Sequence, residues 1–338
     1  MSMPQVSVIG TGGWGTALAL LMSRNTLKRN ADIPVWGHNP THVDLMRSKR
    51  ANEKYLPGVA LPTPIHPTSV LTDCTQAGVI FVAVPSKHLA IVAEDLARAG
   101  IEKNAVLVSC TKGIERERGL LMSEILAEKL PGVTIAVLSG PNLAGEIARS
   151  IPAAGVIGCT NPEVLSRVQG LFEGTNYRAY TSSDVRGIQL GGAIKNIFAI
   201  AAGVADGLGL GENARAGLVT RSLAEMTRLG TAMGGHRDTF RGLSGIGDLM
   251  VTCFSSRSRN HQVGFRLGRG ESLEVIRNSM TMVAEGVPTA AAAHACARRL
   301  GVETPIINEV YSLLRGEKDP AQAMNSLMAR QLRPEEEV

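Results

Sequence analysis

The chain has 338 residues, of which 44% are hydrophobic and 19% are charged, and its formal net charge is +5. This length and composition can bury a large core, which excludes a disordered protein and allows one large domain or two ordinary ones. The 35 lysine and arginine residues are scattered rather than gathered into a basic stripe. A nucleic-acid partner is therefore not expected, and the positive excess fits a small anionic ligand.

The five cysteines are isolated and odd in number: Cys74, Cys110, Cys159, Cys253 and Cys296. Their spacing argues against a disulfide framework and a structural zinc site, and it favours a reducing compartment. No cluster of His, Cys and carboxylate residues suggests another metal site. The N-terminus lacks a signal-peptide pattern, and no run of about 18 residues is apolar without charge or frequent glycine. We therefore expect a cytoplasmic protein without an integral membrane segment.

The first predicted element is a short strand followed by a glycine-rich turn and a helix, in the stretch VSVIGTGGWGTALALLMSRN. Gly10, Gly12 and Gly15 match the pattern GxGxxG directly after the strand. The first glycine permits the tight turn, the second lets the backbone approach a pyrophosphate, and the third lets the helix pack on the strand. In this strand–turn–helix context the motif predicts a dinucleotide site rather than a glycine-rich turn without a ligand.

The second predicted strand, IPVWGHN, ends in Gly-His-Asn at residues 37–39. A site selective for NAD usually has Asp or Glu near this point, to bind the ribose hydroxyl groups. Here no acid is present, and the basic residues Arg47, Lys49 and Arg50 follow. The pattern permits NADP and leans towards it. It is equally compatible with basic residues that only decorate a solvated helix.

Further apolar runs follow at the spacing of α/β units: AGVIFVAVPS, NAVLVSCTKGIE, VTIAVLSGPNLAGE, AAGVIGCT and YRAYTSSD. Near-continuous Val, Ile and Ala between helical patterns predict a mostly parallel sheet covered by helices on both faces. Ligands bind beyond the carboxyl ends of such strands, which singles out Ser86, Lys112, Gly140 and Asn142. Lys112 is equally compatible with an ordinary surface lysine.

The strand patterns end near Gly187, and helical patterns follow. We therefore predict an α/β protein with a dinucleotide-binding domain over residues 1–187 and a mainly α-helical domain over residues 188–338. The first helix of the second domain contains GGAIKNIFAIAAGV, in which Lys195 is the single charged residue. Lys195 can snorkel to water, or it can be desolvated, which would lower its pKa towards a range useful for proton transfer.

A second polar segment is LSGIGDLMVTCFSSRSRN, in which Asp248 follows a glycine-rich loop. Residues 255–260 then supply serines, arginines and an asparagine in one short loop, and these are donors that a phosphate needs. The loop at residues 255–260 is equally compatible with an N-capped surface loop. Asp248 is equally compatible with a structural ion pair to a lysine. In MVAEGVPTA, Glu285 is compatible with simply opening the next helix.

These motifs occur in order from residue 6 to residue 287, together with WGHN, NEKYLPGVALP, AVPS, CTKGIE and LSGPNLAGE. The chain closely resembles the NAD(P)-dependent sn-glycerol-3-phosphate dehydrogenases of the bacterial type. The resemblance implies a Rossmann-type domain, NAD or NADP as coenzyme without a metal, and reversible reduction of dihydroxyacetone phosphate to sn-glycerol 3-phosphate. It also implies supply of a precursor for glycerophospholipid synthesis, and a homodimer.

By this resemblance Lys195 would donate and accept the proton, Lys112 would contact coenzyme and substrate, and Asp248 would hold the lysines. The implied substrate contacts are Lys112, Gly140, Asn142, Lys195, Asn196, Asp248, Thr252, Ser258, Arg259 and Asn260. The implied coenzyme contacts are Gly10, Gly12, Gly13, Trp14, Gly15, His38, Lys112, Ala144, Arg259, Val283 and Glu285. Asn142 departs from the family, because many relatives have Ser or Thr at this position and a hydroxyl group is missing here.

Two alternative functions remain open on the residues alone. A β-hydroxyacid or ketopantoate-type reductase would have the same two-domain plan and a lysine, but it would act on a carboxylate and need no phosphate. A nucleotide-sensing binding protein would need no turnover at all. The Ser-Arg-Asn segment favours a phosphate substrate, and the presence of both Lys195 and Asp248 favours an enzyme.

Overall fold

The computed structural model describes residues 5–25, 32–332 and 334–335. The protein divides into two compact units. The first unit contains the residues up to Thr111 and the segment Met122–Val185, and the second contains Lys112–Leu121 and the residues from Arg186 onward. The short segment Lys112–Leu121 thus belongs to the helical unit. The predicted division between residues 187 and 188 places this segment in the first domain.

The first unit is built on a sheet, and its strands are β1 (Val6–Ile9), β2 (Ile33–Trp36), β3 (Ala51–Asn52), β4 (Leu56–Ala60), β5 (Ile65–Thr68), β6 (Val79–Val82), β7 (Val106–Ser109), β8 (Thr134–Ser139), β9 (Ala153–Gly158) and β10 (Tyr177–Ser182). Among the described residues, eight strands form one sheet in the order β10-β9-β8-β7-β6-β1-β2-β5. All neighbours pair in parallel except β8 and β9, which are antiparallel. The prediction of a mostly parallel sheet is confirmed.

The helices of the first unit are α1 (Gly13–Ser23), α2 (Pro40–Lys49), α3 (Thr72–Thr75), α4 (Leu89–Ala99), α5 (Met122–Lys129), α6 (Ala144–Ala148) and α7 (Pro162–Gln169). The central strands β1, β6 and β7 are buried at every position. Burial at every position explains why their sequences read as continuous apolar runs rather than as alternating ones. One hydrophobic core, which includes Val8, Phe81 and Val108, serves this unit.

The chain between β2 and β6 contains strands that the sequence pattern did not predict. The short strands β3 and β4 pair with each other in a separate antiparallel sheet, and β5 extends the edge of the main sheet beside β2. The sequence of β5 is IHPT, which includes a proline that cannot donate a backbone hydrogen bond. Proline is tolerated in an edge strand. It also interrupts the sequence pattern by which a strand is recognised.

The described part of the second unit is mainly helical, with α8 (Val185–Gly207), α9 (Gly211–Ala232), α10 (Asp248–Phe254), α11 (Arg259–Gly268), α12 (Leu273–Ser279), α13 (Gly286–Leu300), α14 (Pro305–Leu314) and α15 (Pro320–Met328). A second hydrophobic core, which includes Phe198, Met226 and Phe240, serves this unit. Within the described ranges, α8 is the one helix long and apolar enough to cross a membrane, and 94% of its most apolar window is buried inside the protein. The packing of the unit therefore accounts for its apolar sequence.

Candidate active site

Lys195 lies at the middle of α8 and is buried, with 6% of its surface exposed. Its Nζ lies 2.9 Å from Oδ1 of Asp248 and donates a hydrogen bond of 2.5 Å to Oγ1 of Thr252. Thr252 in turn donates to the backbone carbonyl of Asp248 at 2.6 Å. The three polar groups satisfy one another inside an apolar helix bundle, so the snorkelling interpretation of Lys195 is wrong.

Lys112 shares the same carboxylate, because its Nζ forms an ion pair with Oδ2 of Asp248. The Lys112 side chain is 21% exposed, whereas that of Asp248 is only 1% exposed. Two ammonium groups and one carboxylate give this cluster a net positive charge. A buried charge of this kind is costly unless an anion or a developing oxyanion completes it. The cluster is therefore suited to a negatively charged substrate.

Burial lowers the pKa of Lys195 to about 8, well below the ordinary value for a lysine. Desolvation of the ammonium is the main cause, the nearby charge of Lys112 adds to it, and the carboxylate of Asp248 opposes it. A lysine with a pKa near neutrality can hold or release a proton at physiological pH. Such a group fits general acid and base chemistry.

A π-helical turn positions Asp248. Residues Leu243–Gly247 form this turn, and α10 begins directly after it at Asp248. The turn depends on small residues, because a Cβ on Gly245 would overlap the backbone of Phe240. The sequence interpretation treated this segment as an ordinary loop. The structure instead shows a π-helical turn. Such turns are frequent at functional sites.

The segment Ser258–Asn260 is the start of a helix rather than the loop that the sequence pattern suggested. Ser258 caps α11, and its side chain accepts a hydrogen bond from the backbone N–H of His261. Arg259 is exposed, and its guanidinium donates to the carbonyl of Val283 at 2.7 Å. A helix N-terminus with an arginine and a capping serine offers backbone donors, a hydroxyl and a cation to an anion.

The carboxamides of Asn260 and Asn196 have an orientation that their neighbours dictate. The backbone N–H of Gly286 can only donate, and it donates to Oδ1 of Asn260 at 2.9 Å. Nδ2 of Asn260 then donates to Oδ1 of Asn196 at 2.8 Å. The other group of the Asn196 carboxamide is therefore its donor, Nδ2. This nitrogen makes a long hydrogen bond of 3.4 Å to the carbonyl of Gly192. These contacts also tie α8 and α11 to the start of α13, which Glu285 precedes.

In the first unit, the glycine-rich turn between β1 and α1 has the shape that a dinucleotide phosphate needs. Gly10 has a φ of +121°, and a Cβ there would overlap the carbonyl of Ala83. A Cβ on Gly15 would overlap the carbonyl of Gly10. Gly12 precedes α1 without a side-chain cap, and a Cβ on it would meet no atom within 4 Å. The turn thus leaves open space and backbone donors at the helix start, which fits a pyrophosphate.

Asn52 supports this turn from outside it, and the sequence analysis missed it. It is fully buried, and its Nδ2 donates to the carbonyl of Thr11 at 2.8 Å and to Oγ1 of Thr16 at 2.7 Å. It therefore fixes the glycine-rich turn from the short strand β3. Only its place within NEKYLPGVALP, a stretch already noted for the resemblance, could have drawn attention to it.

The remaining coenzyme candidates of the first unit lie around α1 and β2. Trp14 and Ala144 are half-buried. Gly13 is the first residue of α1, and a Cβ on it would lie 2.9 Å from the carbonyl oxygen of Tyr55. His38 is exposed after β2.

The basic residues after β2 are already engaged within the protein. Arg47 donates to the carbonyl of Pro67 at 2.7 Å, and Arg50 donates to carbonyls of Leu61, Pro62 and Ile65. The structure therefore favours a structural role for Arg47 and Arg50. It does not favour their use for a 2′-phosphate.

Gly140 and Asn142 follow β8 in the first unit, as the sequence predicts. Gly140 has a φ of +137° and packs against β9, where a Cβ would lie 2.8 Å from Cα of Gly155. The hydroxyl of Tyr177 donates to Oδ1 of Asn142 at 2.8 Å. Nδ2 of Asn142 is buried and has no hydrogen-bond partner in the described part of the chain. Asn142 therefore offers an amide donor after β8.

The second unit brings together Lys112, Lys195, Asn196, Asp248, Thr252, Ser258, Arg259, Asn260, Val283 and Glu285. The other candidates belong to the first unit: Gly10, Gly12, Gly13, Trp14, Gly15, His38, Gly140, Asn142 and Ala144. In neither unit do the described residues contain a group of three or more His, Cys, Asp and Glu side chains that could hold a metal ion. The five cysteines all lie in the described part of the chain, are buried, and form no disulfide there.

Comparison with protein families gives two matches that cover most of the chain. Residues 5–165 match the NAD-dependent glycerol-3-phosphate dehydrogenase N-terminus, and residues 184–325 match the C-terminus of the same family. The two matches support the dehydrogenase resemblance noted in the sequence. They carry no support for the reductase and nucleotide-sensing alternatives.

Named relatives agree with the family matches. Proteins named glycerol-3-phosphate dehydrogenase (NAD(P)+) are 44% identical in Syntrophotalea carbinolica, over 98% of this chain and 99% of the relative, and 42% identical in Desulfotalea psychrophila, over 98% of each chain. A crystal structure of glycerol-3-phosphate dehydrogenase from Coxiella burnetii is 34% identical, with a TM-score of 0.92 over 97% of this chain and 99% of that one. The chain therefore belongs to the NAD-dependent glycerol-3-phosphate dehydrogenase family.

Proposed function

We propose that this protein catalyses the reversible reduction of dihydroxyacetone phosphate to sn-glycerol 3-phosphate, with NADH or NADPH as coenzyme. The observation that carries the proposal is the buried Lys195, which is held between Asp248 and Thr252 with a pKa of about 8. Reduction of a ketone places negative charge on its oxygen, which must be stabilised and protonated. A desolvated ammonium can do both.

Lys195 donates its proton to the ketone oxygen during reduction and accepts a proton from the alcohol in the reverse direction. Asp248 and Thr252 hold Lys195 in place by the ion pair and the hydrogen bond described above. Lys112 brings a second positive charge to the same carboxylate and, with it, favours the oxyanion. These residues form the catalytic set that we assign.

The phosphate group of the substrate binds at the start of α11, where Ser258, Arg259 and Asn260 supply a hydroxyl, a guanidinium and backbone N–H groups. Asn196 contributes its amide donor, whose orientation Asn260 imposes. Gly140 and Asn142 are further substrate contacts, and the unpaired Nδ2 of Asn142 is the donor available there. Because the phosphate lies away from the reacting carbon, its binding energy serves to orient the ketone.

The coenzyme is held by the glycine-rich turn of the first unit, through Gly10, Gly12, Gly13, Trp14 and Gly15, and by His38 and Ala144. The family resemblance also assigns Lys112, Arg259, Val283 and Glu285, which belong to the second unit, to coenzyme binding. When bound, the reduced nicotinamide supplies a hydride to the ketone carbon. The absence of an acid after β2 supports acceptance of both NADH and NADPH, because no carboxylate repels a 2′-phosphate.

The wider setting follows from the reaction. Glycerol 3-phosphate is the backbone precursor of glycerophospholipids, so we assign the protein to their synthesis. The five buried cysteines, which form no disulfide in the described part of the chain, support a reducing compartment and hence the cytoplasm. We further propose a homodimer, on the basis of the family resemblance. We also propose domains over residues 1–187 and 188–338, because the strand patterns end near Gly187.

The direct test is the disappearance of NADH or NADPH absorbance when purified protein is mixed with dihydroxyacetone phosphate. We expect consumption with at least one coenzyme, and no consumption with either would refute the reaction. In Lys195→Ala we expect kcat to fall by about 10²- to 10⁴-fold with unchanged binding of NADPH. Lys318→Ala is the matched control, because Lys318 forms its ion pair with Glu309 and lies outside the cluster. A kcat for Lys195→Ala within about tenfold of the unmodified protein would refute the acid–base assignment.

A further inference from the structure

The second half of α8 runs parallel to α11 and is in contact with it. Asn196 bonds Asn260 near the start of the contact, and a Cβ on Gly264 would overlap the carbonyl of Ile200 one turn further. At the far end, a Cβ on Gly268 would lie 2.7 Å from the carbonyl of Val204. Residue numbers rise together on both helices, which establishes the parallel direction.

Four glycines allow the two backbones to meet. Gly203 and Gly207 lie four residues apart on α8, and Gly264 and Gly268 lie four residues apart on α11, so each pair occupies one helix face. A Cβ on Gly203 would overlap the carbonyl of His261, and one on Gly207 would overlap that of Phe265. Helix axes usually lie about 8–10 Å apart, depending on the side chains at the contact. At these four glycines the backbones meet without a side chain between them, so rotamer changes cannot adjust the separation there.

The contact joins the two parts of the candidate site. Lys195 precedes Asn196 on α8, and Arg259 precedes Asn260 in the first turn of α11. Besides the bond between the asparagines, Nε2 of His261 lies 2.7 Å from Oδ2 of Asp206, which ties the first turn of α11 to the end of α8. The position of the phosphate-binding helix end relative to the proton-donating helix is therefore set by backbone contact and two side-chain bridges.

We propose that Gly203 and Gly264 determine substrate length. Both glycines keep α8 and α11 in backbone contact and thereby set the distance between Lys195 and the start of α11. That distance suits a substrate whose phosphate is carried on the carbon next to the ketone. This inference rests on the proposed function, because it takes Lys195 as the proton donor and the start of α11 as the phosphate site. Gly203 and Gly264 act through these groups and are positioning residues.

The size of the expected effect follows from the geometry. A methyl group between the helices separates them by about 1 Å, within the ordinary range of helix spacings. A misplacement of about 1 Å between reacting groups can cost about 10²-fold in rate. A substrate with one more methylene between ketone and phosphate spans roughly that added distance.

The first measurement uses the unmodified protein. The kcat/KM for dihydroxyacetone phosphate is compared with that for 4-hydroxy-3-oxobutyl phosphate, the homologue with one added methylene between ketone and phosphate. We expect a preference of about 10²-fold for the shorter substrate. Turnover of both substrates within about threefold would overturn the proposal, without any variant being needed. Failure to reduce dihydroxyacetone phosphate at all would instead refute the proposed function.

The second measurement uses Gly203→Ala and Gly264→Ala, with Gly217→Ala as the matched control. Gly217 lies in α9 of the same unit, outside the contact of α8 and α11, and a Cβ on it would meet no atom within 4 Å. We expect either test variant that folds to lose activity with dihydroxyacetone phosphate and to retain or gain activity with the longer homologue. The ratio of the two kcat/KM values should shift by about tenfold or more, whereas Gly217→Ala should keep it within about threefold.

A general loss of packing or of phosphate binding gives a different result. In that case kcat/KM falls for both substrates and does not rise for the longer one, as we expect for Arg259→Ala. An unchanged ratio in a folded Gly203→Ala or Gly264→Ala protein would overturn the proposal. If neither variant folds, similar turnover of both substrates by the unmodified protein still overturns the proposal.

Discussion

At the scale of single residues, the chemistry of this protein depends on a lysine inside an apolar helix. Asp248 stabilises the charged form of Lys195, and burial opposes it more strongly, so that the pKa settles near 8. A fully solvated lysine would stay protonated at all physiological pH values. Because Lys195 is buried beside a shared carboxylate, both its charged and its neutral form are populated near pH 8.

The first prediction concerns the pH dependence of the unmodified protein. Reduction needs the ammonium form of Lys195, so kcat/KM for dihydroxyacetone phosphate should fall about tenfold per pH unit above a pKa of about 8. Oxidation of glycerol 3-phosphate needs the neutral amine and should fall below that pH. Steady-state rates in both directions from pH 6 to 10 test this. A flat profile for reduction up to pH 10 would contradict it.

The second prediction concerns Asp248→Asn. The carboxylate raises the pKa of Lys195, and the nearby Lys112 lowers it. Loss of the carboxylate should therefore move the alkaline limb of reduction to a pH below 8, in addition to a lower kcat. The control is Asp238→Asn, whose exposed carboxylate pairs with Arg241. An unchanged limb in Asp248→Asn would show that the two groups are not electrostatically coupled.

At the scale of secondary-structure elements, the starts of helices carry the binding chemistry. The glycine-rich turn precedes α1, Ser258 caps α11, and Asn39 caps α2 directly after β2. The side chain of Asn39 accepts a hydrogen bond of 3.0 Å from the backbone N–H of His42. Asn39 is therefore both a structural cap and a neutral residue at the position where an acid would select NAD.

The third prediction uses this double role of Asn39. Asp caps helices as well as Asn does, so Asn39→Asp should keep the thermal stability while it adds a negative charge after β2. We expect the ratio of kcat/KM for NADH to that for NADPH to rise by about tenfold, because the charge repels a 2′-phosphate. Coenzyme kinetics and a melting curve test the two parts separately. A ratio within about twofold of the unmodified protein would remove residue 39 from coenzyme selection.

At the scale of the whole molecule, two separate cores support two separate tasks. The sheet unit holds the glycine-rich turn, and the helical unit holds the lysine cluster. Within the helical unit, Glu225 of α9 is buried and accepts the backbone N–H groups of Ile306 at 2.9 Å and Ile307 at 2.8 Å. It thereby caps α14 from another helix, and burial raises its pKa to about 7.

The fourth prediction concerns Glu225→Ala, which leaves two buried backbone N–H groups without an acceptor. We expect the helical unit to lose about 3 kcal/mol of stability, as measured by hydrogen exchange, while NADPH binding by the sheet unit persists. Folded Glu225 holds a proton between pH 4.5 and about 7 that the unfolded chain releases. Its contribution to stability therefore falls as pH rises through that range, and the loss in the variant should be greater at pH 5 than at pH 8. An equal loss at both values would contradict the raised pKa.

Much of the fold follows from local patterns in the sequence. The apolar runs of β6 and β7, the glycines after β1, and the loss of strand patterns near Gly187 predicted the sheet and the helices after it. The strands β3, β4 and β5 were missed because β3 has only two residues, and because β4 (LPGVA) and β5 (IHPT) each contain a proline. Strands of this kind are stabilised by their neighbours in space, and their own sequences carry little signal.

The sequence by itself determined which chemical groups this protein can use: a dinucleotide turn, a lysine in an apolar helix, an aspartate, and a serine–arginine–asparagine segment. Only the tertiary structure decided that Lys195 is buried, that Asp248 binds both lysines, and that Gly286 orients Asn260 and thereby Asn196. The physical reason is distance along the chain. Periodicity and turn chemistry act over a few residues, whereas desolvation and ion pairing depend on residues brought together from more than fifty positions apart.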